Sequence, residues 1–186
     1  MQRNGQSPAE NTYVFFWTDN GTHNGDHRLS YGKRTPYEQD INFPLVVRGP
    51  GIQQGTSEKL VGNHDIAPTI ADLADVDAPE FVDGRSIVPL FEGEPAQWRE
   101  ALLSESALGF KAGAPPWNAL RTEDETYVEY KSGERELYDL SADPYQTDNL
   151  LSPGGSGDAR NLPARLETLK GCGAEKTTTC AEAEGM

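Results

Sequence analysis

The sequence contains no long hydrophobic run and has little positive charge. No stretch approaches the roughly 20 apolar residues that a membrane-spanning helix needs. The chain has 186 residues, with 16 lysines and arginines against 30 aspartates and glutamates, a net charge of −14. So acidic a chain repels nucleic acid and anionic membranes. We therefore expect no nucleic-acid partner and no membrane span. The first eleven residues also lack the apolar segment of a signal peptide.

Cysteine is scarce as well. Cys172 and Cys180 are the two cysteines, and the three histidines all lie more than a hundred residues before them in sequence. A zinc site would need further cysteine or histidine ligands close by, so a local disulfide is the better interpretation. A disulfide suggests an oxidising compartment, extracellular or periplasmic for the full-length protein. An oxidising compartment and the lack of a signal peptide are compatible if the chain is the C-terminal part of a longer protein.

Two apolar segments in the first half predict buried strands. Residues 12–17 (TYVFFW) and 43–47 (FPLVV) are continuous β-branched, aliphatic and aromatic runs, which are typical of strands in a parallel sheet. A helix is predicted after Asn63 or Asp65 as its cap, with an apolar face formed by Ile66, Ile70, Leu73 and Ala74. The first half therefore predicts part of an α/β core.

After Gly93 the pattern changes to short strands. The segments ALLSES, WNALRT, TYVEY and ERELYDL predict a small antiparallel sheet, with a hairpin turn at Ser132-Gly133. Leucines at 162, 166 and 169 predict a last helix that ends at Gly171. We expect residues 1–93 to form part of an α/β domain and residues 94–186 to form a subdomain with this sheet and helix.

The first predicted strand runs into the segment WTDNGTHNGDH, residues 17–27. Asp19 and Asn20 follow the strand, where ligands gather in open α/β sheets, and their oxygens suit Ca²⁺ or Mg²⁺. Asp-Asn-Gly is also ordinary turn chemistry, so a plain turn remains an alternative.

Residues 21–34 carry a net charge of +2 in this acidic chain, from Arg28, Lys33 and Arg34 against Asp26. Cations beside a divalent metal would suit a tetrahedral oxyanion ester. A solvated basic loop fits the charge equally well.

Five motifs in order make the sequence recognisable. The segments NTYVFFWTDNG, GKRTPYEQDINFPLVVRGPGI, NHDIAPTIADLA, DGRSIVPLF and ELYDLSADPYQTDNL resemble the sulfatase family of the alkaline-phosphatase-like superfamily. Within the family, the sequence looks similar to the arylsulfatase and N-acetylglucosamine-6-sulfatase types. The resemblance covers residues 11 to 169. It implies the C-terminal part of an alkaline-phosphatase-like sulfatase fold, with parallel core strands before the small antiparallel sheet and the C-terminal helix.

The resemblance assigns roles to several residues. Asp19 and Asn20 map onto two Ca²⁺ ligands, with Mg²⁺ the less favoured metal, and Lys33 maps onto the lysine that binds the substrate sulfate. His23 and His27 lie in the same loop and are weaker candidates for contacts with sulfate or sugar. His64, before the predicted helix, has the features of a structural residue. The implied substrate is a sulfated small molecule or a sulfated glycan.

One part of the family pattern is absent. The nucleophile of the family is a formylglycine made from cysteine in a Cys-x-Pro-Ser-Arg motif, and neither Cys172 nor Cys180 lies in such a motif. We expect the formylglycine in a missing N-terminal half, and we expect this chain alone to be inactive. The alternatives are a phosphoester or phosphonate hydrolase of the same superfamily, and a non-catalytic remnant that binds Ca²⁺ or sulfoglycan.

Overall fold

The computed structural model describes residues 8–93, 95, 97–108, 115–173 and 178–185. All candidate site residues lie within these ranges. The described residues contain six strands and four α-helices, of which the first helix is α1 (Glu38–Ile41). Short 3₁₀ turns lie at Pro8–Asn11, Asp26–Arg28, Asn63–Asp65 and Val88–Phe91. No helix in the part of the chain that the structure describes is long and apolar enough to cross a membrane.

The second half forms a four-stranded antiparallel sheet, as predicted. Its strands are β3 (Leu102–Ser106), β4 (Trp117–Arg121), β5 (Glu125–Tyr130) and β6 (Arg135–Asp139), in the order β3-β4-β5-β6. Gly133 turns the chain between β5 and β6 at a φ of 104°, a left-handed conformation that glycine adopts at low cost. The hairpin predicted at Ser132-Gly133 is therefore confirmed.

The main hydrophobic core lies between this sheet and the last long helix. Helix α3 (Leu162–Gly171) ends at the predicted glycine and buries Leu166 and Leu169 against Leu120, Tyr127 and Leu137 of the sheet. Helix α4 (Cys180–Ala183) follows, and Ala183 joins the same core. The structure joins Cys172 to Cys180 through a disulfide with an S–S distance of 2.07 Å.

The two apolar strands of the first half differ from the prediction. β1 (Val14–Phe16) and β2 (Val46–Arg48) pair antiparallel, with Phe15 opposite Val47. The prediction of parallel strands is therefore wrong within this chain, and these strands are not buried on both faces. An apolar run specifies an extended segment that needs cover, but it does not specify the direction of the neighbouring strand.

The helix of the first half begins at the predicted place. Helix α2 (Ile66–Leu73) follows Asp65, but the Asp65 side chain does not cap it. The buried residues of α2 are Ile66, Pro68 and Thr69, whereas Ile70 is exposed. The predicted apolar face is therefore only partly correct, because the helix also packs through the hydroxyl of Thr69, which accepts a hydrogen bond from the Ile87 amide at 3.0 Å.

Polar contacts join the two halves of the chain. Arg121 binds Glu38 through two hydrogen bonds of 2.8 and 3.0 Å, and the Trp117 indole donates to the carbonyl of Arg34 at 2.8 Å. The loop of residues 21–34 is thereby attached to the antiparallel sheet. The domain boundary at residue 93 stays a prediction.

Candidate functional site

The loop of residues 21–34 closes on itself directly after the Asp19-Asn20 pair. The backbones of His23 and Gly32 form two reciprocal hydrogen bonds of 3.0 and 3.2 Å, and the amide of Gly21 donates to the carbonyl of Asp40 at 2.8 Å. A Cβ at position 21 would lie 2.1 Å from the carbonyl oxygen of Gln39. Only glycine allows this approach, so Gly21 fixes the start of the loop against the backbone of Gln39 and Asp40.

The loop also holds unusual backbone conformations. His27, Arg28 and Arg34 have φ values of 51°, 60° and 85° without being glycine. Such conformations cost energy and persist where the surrounding structure maintains them, which is common at functional sites. We take this clustering as structural support for a role of the loop.

Asp19, Asn20 and Lys33 lie together at the mouth of this loop. The Lys33 ammonium donates to Asp19 Oδ2 at 3.3 Å and to Asn20 Oδ1 at 2.9 Å. The Asn63 amide donates to the backbone carbonyl of Asp19 at 2.8 Å. The hydrogen bond from Lys33 is the main cause that lowers the pKa of Asp19, with a smaller contribution from the Thr18 hydroxyl. The structure thus brings Lys33 to two adjacent residues that lie 14 and 13 positions before it in the sequence.

The two oxygens are suitable ligands for a hard divalent cation. Asp19 Oδ2 and Asn20 Oδ1 both accept a hydrogen bond from the Lys33 ammonium, so both oxygens face one positive charge. No group of three or more histidine, cysteine or acidic side chains that could hold a metal occurs among the described residues. Since Ca²⁺ takes six to eight oxygens, this pair fits part of such a site and leaves the other ligands to be supplied.

His23 lies in the interior. Its Nδ1 is 2.9 and 3.0 Å from the two carboxylate oxygens of Asp40, which also accepts hydrogen bonds from the amide and hydroxyl of Thr35 at 2.7 Å. Both the imidazole and the carboxylate are buried. The burial of the ring and its contacts with Asp40 favour a structural role, and the expectation that His23 contacts sulfate or sugar stays a prediction. We assign His23 to holding the loop in place.

His27 stacks on Tyr37. Their ring centroids are 3.6 Å apart and their planes differ by 9°. Partial burial is the main cause that lowers the pKa of His27, and the side chain of Gln39 acts in the opposite direction. A neutral, stacked imidazole can still contact a ligand, so the expectation for His27 stays a prediction.

Tyr37 belongs to a cluster that the sequence analysis missed. The hydroxyls of Tyr37 and Tyr130 donate to Glu136 at 3.5 and 3.2 Å, and Tyr37 contacts Tyr138 edge to face. Burial raises the pKa of Glu136, and the hydrogen bonds from the tyrosines only partly offset this. Tyr37 and Glu136 are 99 residues apart, and no local pattern in either segment indicates that they meet.

The buried position of Glu136 predicts a pH-dependent stability. A raised pKa means that the folded chain binds the Glu136 proton more tightly than the unfolded chain, so this group favours folding at acidic pH and opposes it as the pH rises past its unfolded value. Replacing Glu136 by glutamine is expected to increase stability near pH 7, relative to the wild type, and to have little effect near pH 4. Urea unfolding at several pH values measures this.

The matched control is Glu134→Gln, two residues earlier on the exposed turn. The hydrogen bond from Ser132 is the main cause that lowers the pKa of Glu134, so this substitution should bring no gain near neutral pH. A wild-type pH dependence that Glu136→Gln leaves unchanged would assign the effect to another group.

Comparison with known proteins extends this picture. The family model described as N-sulphoglucosamine sulphohydrolase, C-terminal, matches residues 25–170. Human N-acetylglucosamine-6-sulfatase is 46% identical over 98 residues, which cover 51% of this chain and 18% of the relative. Sulfatase ppz1 of Metarhizium majus is 35% identical over 164 residues, 86% of this chain and 35% of the relative. An extracellular sulfatase homologue of Drosophila melanogaster is 39% identical over 103 residues, 53% of this chain and 9% of the relative.

Solved structures give the same result. One neighbour, in complex with its substrate D-glucosamine-2-N,6-O-disulfate, has a TM-score of 0.71 and 27% sequence identity. The match covers 84% of this chain and 33% of the neighbour's chain. The phosphonate monoester hydrolase of Agrobacterium radiobacter has a TM-score of 0.64 and 28% identity, over 85% of this chain and 33% of its own. The chain thus spans about a third or less of the proteins it matches. By sequence and by fold, it belongs to the sulfatase family, in which it matches the C-terminal region.

Proposed function

We propose that this chain provides the C-terminal part of a sulfatase that hydrolyses sulfate esters. The observation that carries the proposal is the placement of Lys33 against Asp19 and Asn20, because it joins a cation suited to sulfate with two oxygens suited to a metal. The strained loop that presents Lys33 is anchored to the antiparallel sheet through Trp117. The backbone of the loop would therefore keep its shape when a charged substrate binds, while the Lys33 side chain is free to reorient.

A sulfated sugar is the substrate class that fits best. The matching family model is named for N-sulphoglucosamine sulphohydrolase, and the human relative is an N-acetylglucosamine-6-sulfatase. A structural neighbour holds a disulfated glucosamine as its substrate. We propose an amino-sugar sulfate, free or within a sulfated glycan, ahead of an aryl sulfate.

Each residue has a distinct part in this proposal. Asp19 and Asn20 would hold Ca²⁺, or less favourably Mg²⁺, which supplies positive charge beside the sulfate. Lys33 would turn from these oxygens to bind a sulfate oxygen, as a compact charge on a flexible side chain can do. The contact between the His23 ring and the Asp40 carboxylate holds the loop of residues 21–34 in place. The formylglycine nucleophile would come from the part of the fold outside the matched region.

Phosphonate or phosphoester hydrolysis is the second candidate, since a phosphonate monoester hydrolase shares the fold. The sulfatase relatives favour sulfate. A non-catalytic role in binding Ca²⁺ or sulfoglycan would fit the chain taken by itself. For the complete protein we propose an extracellular or periplasmic location, supported by the Cys172–Cys180 disulfide and the extracellular Drosophila relative.

Lys33 gives the test of this proposal. In an enzyme completed with the N-terminal part and its matured formylglycine, Lys33→Ala is expected to lower kcat/KM for a sulfated glucosamine about tenfold to 150-fold. The loss should appear in kcat as well as KM if the contact strengthens while charge builds on the leaving oxygen. Steady-state kinetics on the sulfate ester and on a matched phosphonate ester also separate the two candidate reactions.

The comparison variant is His27→Ala, in the same loop. We expect a smaller effect, because the ring stacks on Tyr37 and the charge that binds sulfate is that of Lys33. Near-native kinetics for Lys33→Ala with a large defect for His27→Ala would transfer the sulfate contact to His27.

A further inference from the structure

A layer of polar side chains is buried between the first half of the chain and the antiparallel sheet. Arg121 of β4 lies directly opposite Thr126 of β5, so both side chains lie on the same face of the sheet. On this face, Arg121 binds the Glu38 carboxylate through its Nε and Nη2 atoms. The backbone amide of Glu38 donates in turn to Gln146 Oε1 at 2.6 Å. These contacts bring four separate segments of the chain to one place.

Three buried polar atoms of this layer have no hydrogen-bond partner among the described residues. They are Nη1 of Arg121, Oγ1 of Thr126 and Nε2 of Gln146. The enclosure is tight, because Thr126 is 0% exposed and Gln146 is 1% exposed. Folded proteins rarely leave buried N–H and hydroxyl groups unpaired, since each such group has given up its hydrogen bonds to water. The three atoms therefore require a partner that is not a side chain or backbone group of the described segments.

The chemistry of the three atoms defines that partner. The guanidinium and the amide nitrogen only donate hydrogen bonds, and the hydroxyl can donate or accept. A cation is therefore excluded, and a small acceptor is required. The charge of Arg121 is already balanced by the Glu38 carboxylate at 2.8 Å, which favours a neutral acceptor over an anion. Buried water molecules typically make about three hydrogen bonds to such groups.

We infer that at least one ordered water molecule is bound between Arg121, Thr126 and Gln146. The water links the sheet to the segment that contains Gln146. Through Glu38, the first residue of α1, it also supports the attachment of the first half of the chain to the sheet. This hydrated contact is part of the fold, so the inference is independent of the proposed sulfatase activity.

Thr126→Val in the 186-residue chain tests the inference through the sign of its effect. Valine keeps the shape and the strand preference of threonine and removes only the hydroxyl. If the hydroxyl binds water, the water loses a partner, and we expect the melting temperature to fall by about 2–4 °C. If the hydroxyl has no partner, valine removes a buried unpaired group, and the melting temperature is unchanged or rises. Either of these results would overturn the inference.

Thr69→Val is the reference variant for this measurement. The buried Thr69 hydroxyl has two protein partners, since it donates to the Asp65 carbonyl at 2.6 Å and accepts from the Ile87 amide at 3.0 Å. Its removal must lower the melting temperature. The inference requires Thr126→Val to change the melting temperature in the same direction.

Crystal structures of the wild type and of Thr126→Val provide the direct measurement. In the wild type we expect a water oxygen at about 2.7–3.2 Å from at least two of the three atoms, and in the variant we expect it to be lost or displaced. Direct hydrogen bonds among the three side chains, with no density between them, would refute the inference. A bromide peak at this position in the anomalous map of a bromide-soaked crystal would also refute it, because the bound group would then be an anion.

Discussion

Replacing Arg99 by methionine is expected to destabilise the protein by about 3–5 kcal/mol. Arg99 is buried and donates to both oxygens of Asp65, at 2.8 and 2.7 Å, with the carboxylate of Glu184 3.3 Å from its Nε. Removing the guanidinium leaves the buried Asp65 carboxylate without its charge partner. A domain of this size is stable by only about 5–15 kcal/mol, so a large part of the population is expected to unfold at moderate temperature.

Urea unfolding at neutral pH measures this effect. Arg160→Met is the control, because Arg160 pairs with Asp158 at the exposed surface and its loss should leave the unfolding midpoint unchanged. The double variant with Asp65→Leu should recover part of the loss. Recovery is incomplete because Asp65 also accepts hydrogen bonds from the amides of Gly62 and Arg85. If Arg99→Met shifted the midpoint no more than Arg160→Met, the buried Arg99–Asp65 pair would not contribute the predicted stability.

Replacing Asp19 by alanine in the completed enzyme is expected to abolish metal occupancy and turnover together. Asp19 supplies the one carboxylate of the pair that faces Lys33, and an alanine removes both a ligand and the negative charge that attracts a divalent cation. Metal content after dialysis and calcium titration calorimetry report occupancy without depending on turnover. In the 186-residue chain alone we expect weak or undetectable affinity, since two oxygens are too few.

Asp26→Ala is the matched control for this variant. Asp26 is an exposed aspartate in the same loop, and its carboxylate accepts a hydrogen bond from the Asn24 amide at 2.8 Å. Its hydrogen bond is to Asn24 rather than to Lys33 or the Asp19-Asn20 pair, so metal content should be retained. Full calcium occupancy after Asp19→Ala would mean that the metal ligands lie elsewhere.

The sequence by itself determined the features that depend on local patterns. Alternation of apolar and polar residues with a glycine turn predicted the strands β3 to β6, because a half-buried antiparallel strand repeats every two residues. The leucines of α3 and its terminal glycine predicted the last helix in the same way. The family motifs named Asp19, Asn20 and Lys33, and the fold places them in contact.

Only the tertiary structure decided which distant partners meet. The apolar residues of β1 and β2 predicted strands. Their antiparallel pairing and the exposure of Val14, Phe16 and Val46 depend on which elements pack around the two strands. The enclosure of His23 by Asp40, the pairing of Arg99 with Asp65 and the meeting of Tyr37 with Glu136 likewise leave no local signal. A buried polar group requires a partner, yet its own segment does not specify which one. The partner is determined by the packing of the two halves of the chain, because that packing decides which polar groups lose contact with water and which oppositely charged groups lie beside them.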